Sequence, residues 1–204
     1  MVRSRKGPNG IQVGLVRRLL KVLDMSIKPC FRISVLVGFF TCATGCGEEA
    51  INQSWQAWLT TKSTCGTYHY SVPRSSFSGR NSKTSIEITA GTATRRTGEQ
   101  WHFVPGPTSG TKVVDGQWTE VGPAVGTHDG AEPARTMDAL YDDCASKVLS
   151  QDPTKNDITF KADTRGVLQQ CWYVPHDCAD DCAVGVIIDE FACGPLPGPT
   201  AGSP

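Results

Sequence analysis

Nine cysteines in a chain of 204 residues limit what it can fold into more than any other feature. Cys30, Cys42 and Cys46 fall in the first quarter; Cys65, Cys144, Cys171, Cys178, Cys182 and Cys193 are spread over the rest. In an exported chain an even set of six is a disulfide framework, whereas in a reducing compartment it is a metal site or a set of reactive thiols. Six cysteines allow fifteen pairings. Proximity favours Cys144 with Cys171 or Cys182, and Cys65 with Cys193. A zinc site would draw on Cys171, His176, Cys178 and Cys182, but Cys-x3-Cys without a second paired motif is a weak metal signature and needs reduced thiols. The compartment decides between these readings.

Residues 25–46, MSIKPCFRISVLVGFFTCATGC, report the compartment. Lys28 and Arg32 form a cationic start, Ile33 to Phe40 is apolar, and Ala43-Thr44-Gly45-Cys46 closes the segment with small residues. The apolar run is too short for a bilayer span, which takes about 20 residues. Its three parts are those of a secretory signal. The segment resembles the signal and lipobox of a bacterial lipoprotein, in which the last cysteine is lipidated and becomes the mature N-terminus. That resemblance implies export, a lipid anchor on Cys46 as the contact with the membrane, and a place in the cell envelope. Gly47 after the cysteine is not an acidic retention signal, which favours the outer membrane. A plain signal-peptidase cut near Gly45 is the alternative. Residues 1–24 carry six Arg/Lys among near-helically spaced leucines. They read as a basic amphipathic helix at a membrane surface or, more simply, as sequence ahead of a translation start at Met25.

The whole chain has a formal net charge of +0. Residues 1–45 hold eight of the Lys/Arg and one acid, Asp24, so twelve basic and nineteen acidic residues remain after them, a net of −7. Such a domain has no general electrostatic pull toward nucleic acid, where phosphate neutralisation dominates affinity. Nucleic acid is excluded as a partner, and no cofactor motif occurs after Cys46.

After a leader over 1–45, the sequence predicts a tether over 46–52, one α+β domain over 53–193 and a disordered Pro/Gly-rich tail over 194–204. Ile51, Trp55, Trp58 and Leu59 share a helical face, a short amphipathic helix. Thr67 to Val72 alternates as a half-buried strand, and Lys83 to Arg96 reads as a hairpin turning at Ala90-Gly91 with Ile86 and Ile88 inward. Gly98 to Glu132 reads as a long connection with one strand near Trp118–Val121. Arg135 to Leu149 predicts the long helix, N-capped by Thr136. Ile158–Ala162 and Val167–Val174 form a second hairpin about Asp163–Gly166, and Ala183–Phe191 a last strand. The expected fold is α+β: an antiparallel sheet built from hairpins, one long and one short helix packed on one face, stapled by disulfides.

The run Gly126-Thr127-His128-Asp129-Gly130, followed by TMDALYDDC, NDITFKADTRGVLQQCWY and HDCADDCAVGVII, resembles an uncharacterised secreted domain family found in bacterial lipoproteins and some marine invertebrate proteins. The match spans residues 55–193. The family has no assigned activity, so the resemblance implies the fold and the extracytoplasmic setting, and it carries over no catalytic residues.

Three segments could carry chemistry. His128 beside Asp129, between two glycines, could be a base oriented by a carboxylate; as a Thr-His-Asp-Gly turn it would be purely structural. Asp177, Asp180 and Asp181, with Asp189 and Glu190 further on, offer hard oxygens for calcium but fit no EF-hand spacing, so a solvated acidic loop is the plainer reading. Pro73 to Thr84 carries Arg74, Arg80 and Lys83 with Phe77, and as a hairpin loop could meet a protein partner or a polyanionic glycan. No nucleophile motif accompanies any of them. The expectation is a membrane-anchored extracytoplasmic module that binds or braces rather than catalyses. The alternatives are an inhibitor-like module against a hydrolase and a hydrolytic enzyme using His128 and Asp129.

Overall fold

A computed structural model describes residues 46–76, 78–106, 110–180 and 182–198. The leader, with its proposed signal, lies outside the described residues. The chain runs α1 (Cys46–Thr64), β1 (Thr67–Ser75), β2 (Arg80–Thr89), β3 (Thr92–Val104), β4 (Thr111–Val121), α2 (Met137–Asp143), β5 (Asn156–Ala162), β6 (Leu168–Pro175), β7 (Val184–Ile187) and β8 (Glu190–Cys193). Two antiparallel sheets result, one of five strands in the order β4-β3-β2-β1-β8 and one of three, β5-β6-β7. The fold is α+β, with the sheets dominant.

The hairpins form where turn chemistry and alternation agree. Ala90 (φ 51°) and Gly91 (φ 76°) are both left-handed, and that combination matches the twist of the strands it joins. Asp163 accepts from the backbone N–H of Arg165 and Val167, closing the β5–β6 turn. Ile86 and Ile88 are fully buried against Tyr68, Tyr70 and Val72 of β1.

Helix α1 begins at Cys46, so the stretch expected as a tether forms its first turns. Glu48 and Glu49 in the first turn and Lys62 in the last suit the helix dipole. Its buried stripe is Ile51, Ser54 and Trp58, with Leu59 exposed. The expected long helix is the shorter one. Thr136 does cap α2, accepting from the Ala139 N–H at 3.2 Å. After Asp143, however, the chain loosens into a π turn over Cys144–Val148, where the Leu149 N–H donates to the Cys144 carbonyl. The helices therefore do not form the expected long-and-short pair, and there are two sheets where one was expected.

The region Gly98–Glu132 departs most from expectation. Most of it is strand: β3 runs to Val104 and pairs with β4 in a long hairpin. In its outer half Phe103 and Val114 are exposed, and β3 runs past the β2 pairing at Phe103 and Val104. No buried face enforces alternation there, so the sequence shows none.

The expected last strand is split between the sheets. Val184–Ile187 joins β6 and Glu190–Cys193 joins β1. At the crossing the Ile188 N–H donates to Gln169 and the Asp189 N–H to Ser71, so two adjacent residues are fastened to different sheets. The tail expected to be disordered is partly fastened as well. Gly194 N–H donates to Thr67, and Leu196 N–H to Glu87 Oε2 at 2.8 Å.

Three disulfides join Cys65 to Cys193, Cys144 to Cys171 and Cys178 to Cys182, with Cα–Cα distances of 5.4, 5.7 and 6.2 Å. The first two are among the pairings that proximity favours, and together the bridges point to an oxidising, extracytoplasmic environment. The Cys65–Cys193 bridge closes the longest loop, 128 residues apart, where a chain-entropy account gives the greatest stabilisation, roughly 4–5 kcal/mol. Among the described residues no helix is long and apolar enough to cross a membrane.

Candidate functional site

Directly opposed residues in an antiparallel sheet share a face, so the pairing register gives the inner face of the large sheet row by row. Its first row is Tyr70, Ile86, Arg96 and Glu120, its second Val72, Thr84, Gly98 and Trp118, and its third Arg74, Ser82, Gln100 and Gly116. The face thus passes from an apolar core at β1–β2 to a buried ion pair at β3–β4, and from a packed row to a polar one.

The aromatic core is closed by hydrogen bonds. Trp58 Nε1 donates to Asp138 at 2.6 Å, and Lys62 pairs with the same carboxylate. Tyr70 donates to the Arg135 carbonyl, while the Tyr68 hydroxyl accepts the Met137 N–H. Burial lifts the Tyr68 phenol up to about 12 and raises those of Tyr70 and Tyr141. All three stay protonated near neutrality and are poor bases.

Arg96 and Glu120 organise the chain after β4. Arg96 Nε donates to Glu120 at 2.7 Å, and its guanidinium also reaches the carbonyls of His128 (3.1 Å) and Glu132 (2.8 Å). Glu120 accepts in turn from the Gly126 and His128 N–H groups and the Thr127 hydroxyl. The Arg96 guanidinium, with those donors, holds the Glu120 carboxyl down at about 2 despite its burial. The loop over 122–132 therefore winds around one carboxylate.

His128 is held by the same arrangement. Its ring stacks on Trp118 at 4.2 Å between centroids and 16° between planes, with the Arg96 guanidinium 5.1 Å from the Trp118 ring. A Cβ on Gly98 would collide with the Trp118 indole. His128 is thus the outer layer of a glycine–tryptophan–histidine stack. Asp129 is exposed, and no hydrogen bond joins it to the His128 ring among the described residues. The adjacency of the two in sequence does not become a base–carboxylate couple in space. A His–Asp pair does form between His102 Nδ1 and Asp115 at 2.8 Å, on facing strands. Nothing in the sequence signals it, because the bulge that brings these residues together has no local signature.

A groove of about 750 Å³ opens where the third row faces the small sheet. Arg74, Arg80, Ser82 and Gln100 line one wall; Trp172 of β6 and Gly185–Val186 of β7 line the other. A second cavity of about 320 Å³ adjoins it, reaching Arg135, Asp143 and Lys147. Arg74, Ala183, Gly185 and Val186 border both. Gly185 allows the close approach of β7, since a Cβ there would meet the backbone of Cys171 and Trp172.

The groove carboxylates are engaged. Glu132, buried, takes Arg74 at 2.6 Å on one side and Arg135 on the other. Asp143 is bonded by Lys147 (2.6 Å) and Arg135 (2.7 Å), and these cations, Lys147 foremost, hold its carboxyl below the usual range. Asp115 has His102. Arg80 makes no salt bridge among the described residues. Two buried donors, Arg135 Nε and Trp172 Nε1, have no acceptor there either.

The remaining candidates from the sequence are dispersed. Cys46 opens α1. Cys178 and Cys182 pair with each other and Cys171 with Cys144, which consumes the thiols of the zinc alternative. Asp177 and Asp180 are exposed, Asp181 lies outside the described residues, and no group of three or more His, Cys, Asp or Glu able to hold a metal occurs among the described residues. Among the described residues, Arg74 and Arg80 are the sequence candidates that line a concave surface. No family model, curated protein or solved structure matches the chain.

Proposed function

We propose that this protein is an exported, lipid-anchored binding module of the cell envelope, and that the groove between its two sheets seats a ligand without turning it over. The leader ending at Cys46 supports the anchor, and the disulfides support the compartment. The uncharacterised secreted family that the sequence resembles is consistent with both.

The observation that carries the reading is the contrast in side-chain employment. The exposed His128 ring lies stacked on Trp118 and makes no hydrogen bond to Asp129 among the described residues, while the groove collects polar side chains from two sheets in one concave surface of ligand size. The wall carboxylates are engaged by cations or a histidine, which favours a groove that holds its ligand.

The test uses protein extracted from membranes. Intact-mass analysis with and without reductant should show an acylated N-terminus at Cys46 and three disulfides. Calorimetry against a panel of neutral sugars, acidic sugars and peptides should then find a ligand whose binding is lost in Gln100→Trp, a bulky replacement at an exposed groove position. Binding unchanged by Gln100→Trp would remove the groove from the reading, and turnover of the bound ligand would make the protein an enzyme.

A further inference from the structure

The groove differs from the rest of the domain in charge. The chain after residue 45 carries twelve Lys/Arg and nineteen Asp/Glu. The walls of the two adjoining cavities hold Arg74, Arg80, Arg135 and Lys147 against Asp115, Glu132 and Asp143. One third of the cations thus gather where fewer than one sixth of the acids do. An anionic ligand approaching an otherwise acidic surface would be steered here, where field lines concentrate between low-dielectric walls.

Hydrogen bonding points the same way. Glu132 and Asp143 each have their cations and Asp115 has the His102 ring, so the carboxylates of the walls are engaged. The spare capacity is donor capacity: Arg80, exposed on the groove wall and without a salt bridge among the described residues, presents a guanidinium that is a planar fork. A ligand suited to these walls brings carboxylates and many other oxygens.

Resting on the binding reading above, we propose that the ligand is a glycan containing uronic acid residues, with Arg80 and Arg74 taking sugar carboxylates and Trp172 bordering a sugar ring. Three observations favour a glycan over an acidic peptide. The two cavities adjoin across Arg74 and Gly185, giving an elongated and open seat. Ser75, Ser82, Asn81 and Gln100 supply the paired donor–acceptor groups that a polyhydroxylated ligand uses. The apolar lining, Val72, Pro73, Trp172, Ala183, Val186 and Ile187, offers a single aromatic ring, Trp172, on which the apolar face of a sugar can lie. Arg74 also spans from the exposed rim to the buried Glu132, which takes its Nε and Nη2, so the guanidinium is held in place with its remaining Nη1 donors toward a ligand's oxygens, which lowers the cost of binding.

The test is calorimetry with the full, membrane-extracted protein and defined hexamers: oligogalacturonate, oligomannuronate and hyaluronan, the methyl ester of the galacturonate hexamer, and hexaglutamate. At low salt at least one uronate should bind, and, for oligogalacturonate, at least tenfold more tightly than its uncharged ester. Raising ionic strength should erode that advantage. Arg80→Glu should weaken uronate binding tenfold or more while leaving the thermal midpoint and the affinity for the ester unchanged, which separates loss of a contact from loss of fold. Equal affinity for acid and ester, both lost in Gln100→Trp, would overturn the uronate assignment and leave the groove as the binding site. Preference for hexaglutamate over every uronate would replace the glycan by an acidic peptide. Failure of all hexamers, while another panel ligand binds in a Gln100→Trp-sensitive way, would overturn the assignment without touching the broader reading. Binding of a uronate that ignores both Arg80→Glu and Gln100→Trp would overturn both.

Discussion

Trp118 and Trp172 occupy similar positions in different sheets, and the chain treats them in opposite ways. Each faces a glycine across the ladder, Gly98 for Trp118 and Gly185 for Trp172. After β4 the chain returns over Trp118, winds its N–H groups around Glu120 and lays His128 on the indole. After β7 the chain instead leaves the small sheet at Ile188–Asp189 to pair with β1. Trp172 is left bordering the groove. The same aromatic-beside-glycine pairing is therefore a packing device at one end and a wall of open space at the other. The path of the chain beyond each sheet sets the difference.

The closed end should be the more fragile under mutation. Arg96→Met leaves Glu120 buried without its cation and strips the carbonyls of His128 and Glu132 of their donor. The expected cost is about 3–5 kcal/mol, the range for removing one partner of a buried pair, read from urea unfolding. A loss under about 1 kcal/mol would mean that the pair behaves as a surface bridge and that the two ends do not differ as drawn. Acid tests the same pair from the other side. The Glu120 carboxyl is lowered to about 2 in the fold from an ordinary value of 4.5. Its contribution is complete above that ordinary value and fades as pH falls through the folded one, because the unfolded chain then binds the proton more readily. Glu120→Gln should be less stable than the parent near neutrality, and the gap between the two should narrow as pH drops from 4.5 toward 2. A gap independent of pH would show that the ionised pair contributes nothing.

Next in size is Gly98→Ala. The added Cβ runs into the Trp118 indole, and overpacking of this kind costs about 1–3 kcal/mol. It should also move the His128 ring signals in a proton spectrum, as His128 loses the ring current it feels at 4.2 Å. Unchanged His128 shifts would show that the stack does not persist in solution.

Those parts of the fold whose cause is local are legible in the sequence. Turn chemistry marks Ala90-Gly91 and Asp163–Gly166, the Thr136 cap marks the start of α2, and alternation marks Tyr68, Tyr70, Ile86 and Ile88 as core. Cysteine spacing anticipates two of the three bridges. The illegible parts depend on partners far along the chain. The outer half of the β3–β4 hairpin buries neither face and so shows no periodicity. Ala183 to Phe191 reads as one strand, because only the distant acceptors Gln169 and Ser71 divide it. The start of α1 is hidden since Gly47 to Ala50 carry no apolar stripe, though Glu48 and Glu49 are well placed for a first turn. At the groove, Arg74 and Arg80 stand out as cations of a hairpin loop. Trp172 and Gly185 cannot, since only the meeting of two sheets makes them a wall. His128-Asp129 is the opposite case, a conspicuous pair in sequence whose histidine is spent on covering Trp118.

The smallest expected effect on stability lies at the open end and completes the comparison. Trp172→Phe keeps an aromatic ring at the groove wall and removes an N–H that has no acceptor within the described fold. Deleting an unsatisfied donor offsets part of the lost volume, so the unfolding free energy should change by less than about 1.5 kcal/mol, the usual bound for a near-isosteric swap. His128→Ala, by contrast, uncovers Trp118 and should cost more while leaving ligand affinity untouched. The paired measurement is unfolding by urea and ligand binding by calorimetry on both variants. If Trp172→Phe unfolds the domain more readily than His128→Ala, Trp172 is core rather than wall. The groove would then be a shallow irregularity between two sheets that happen to part there.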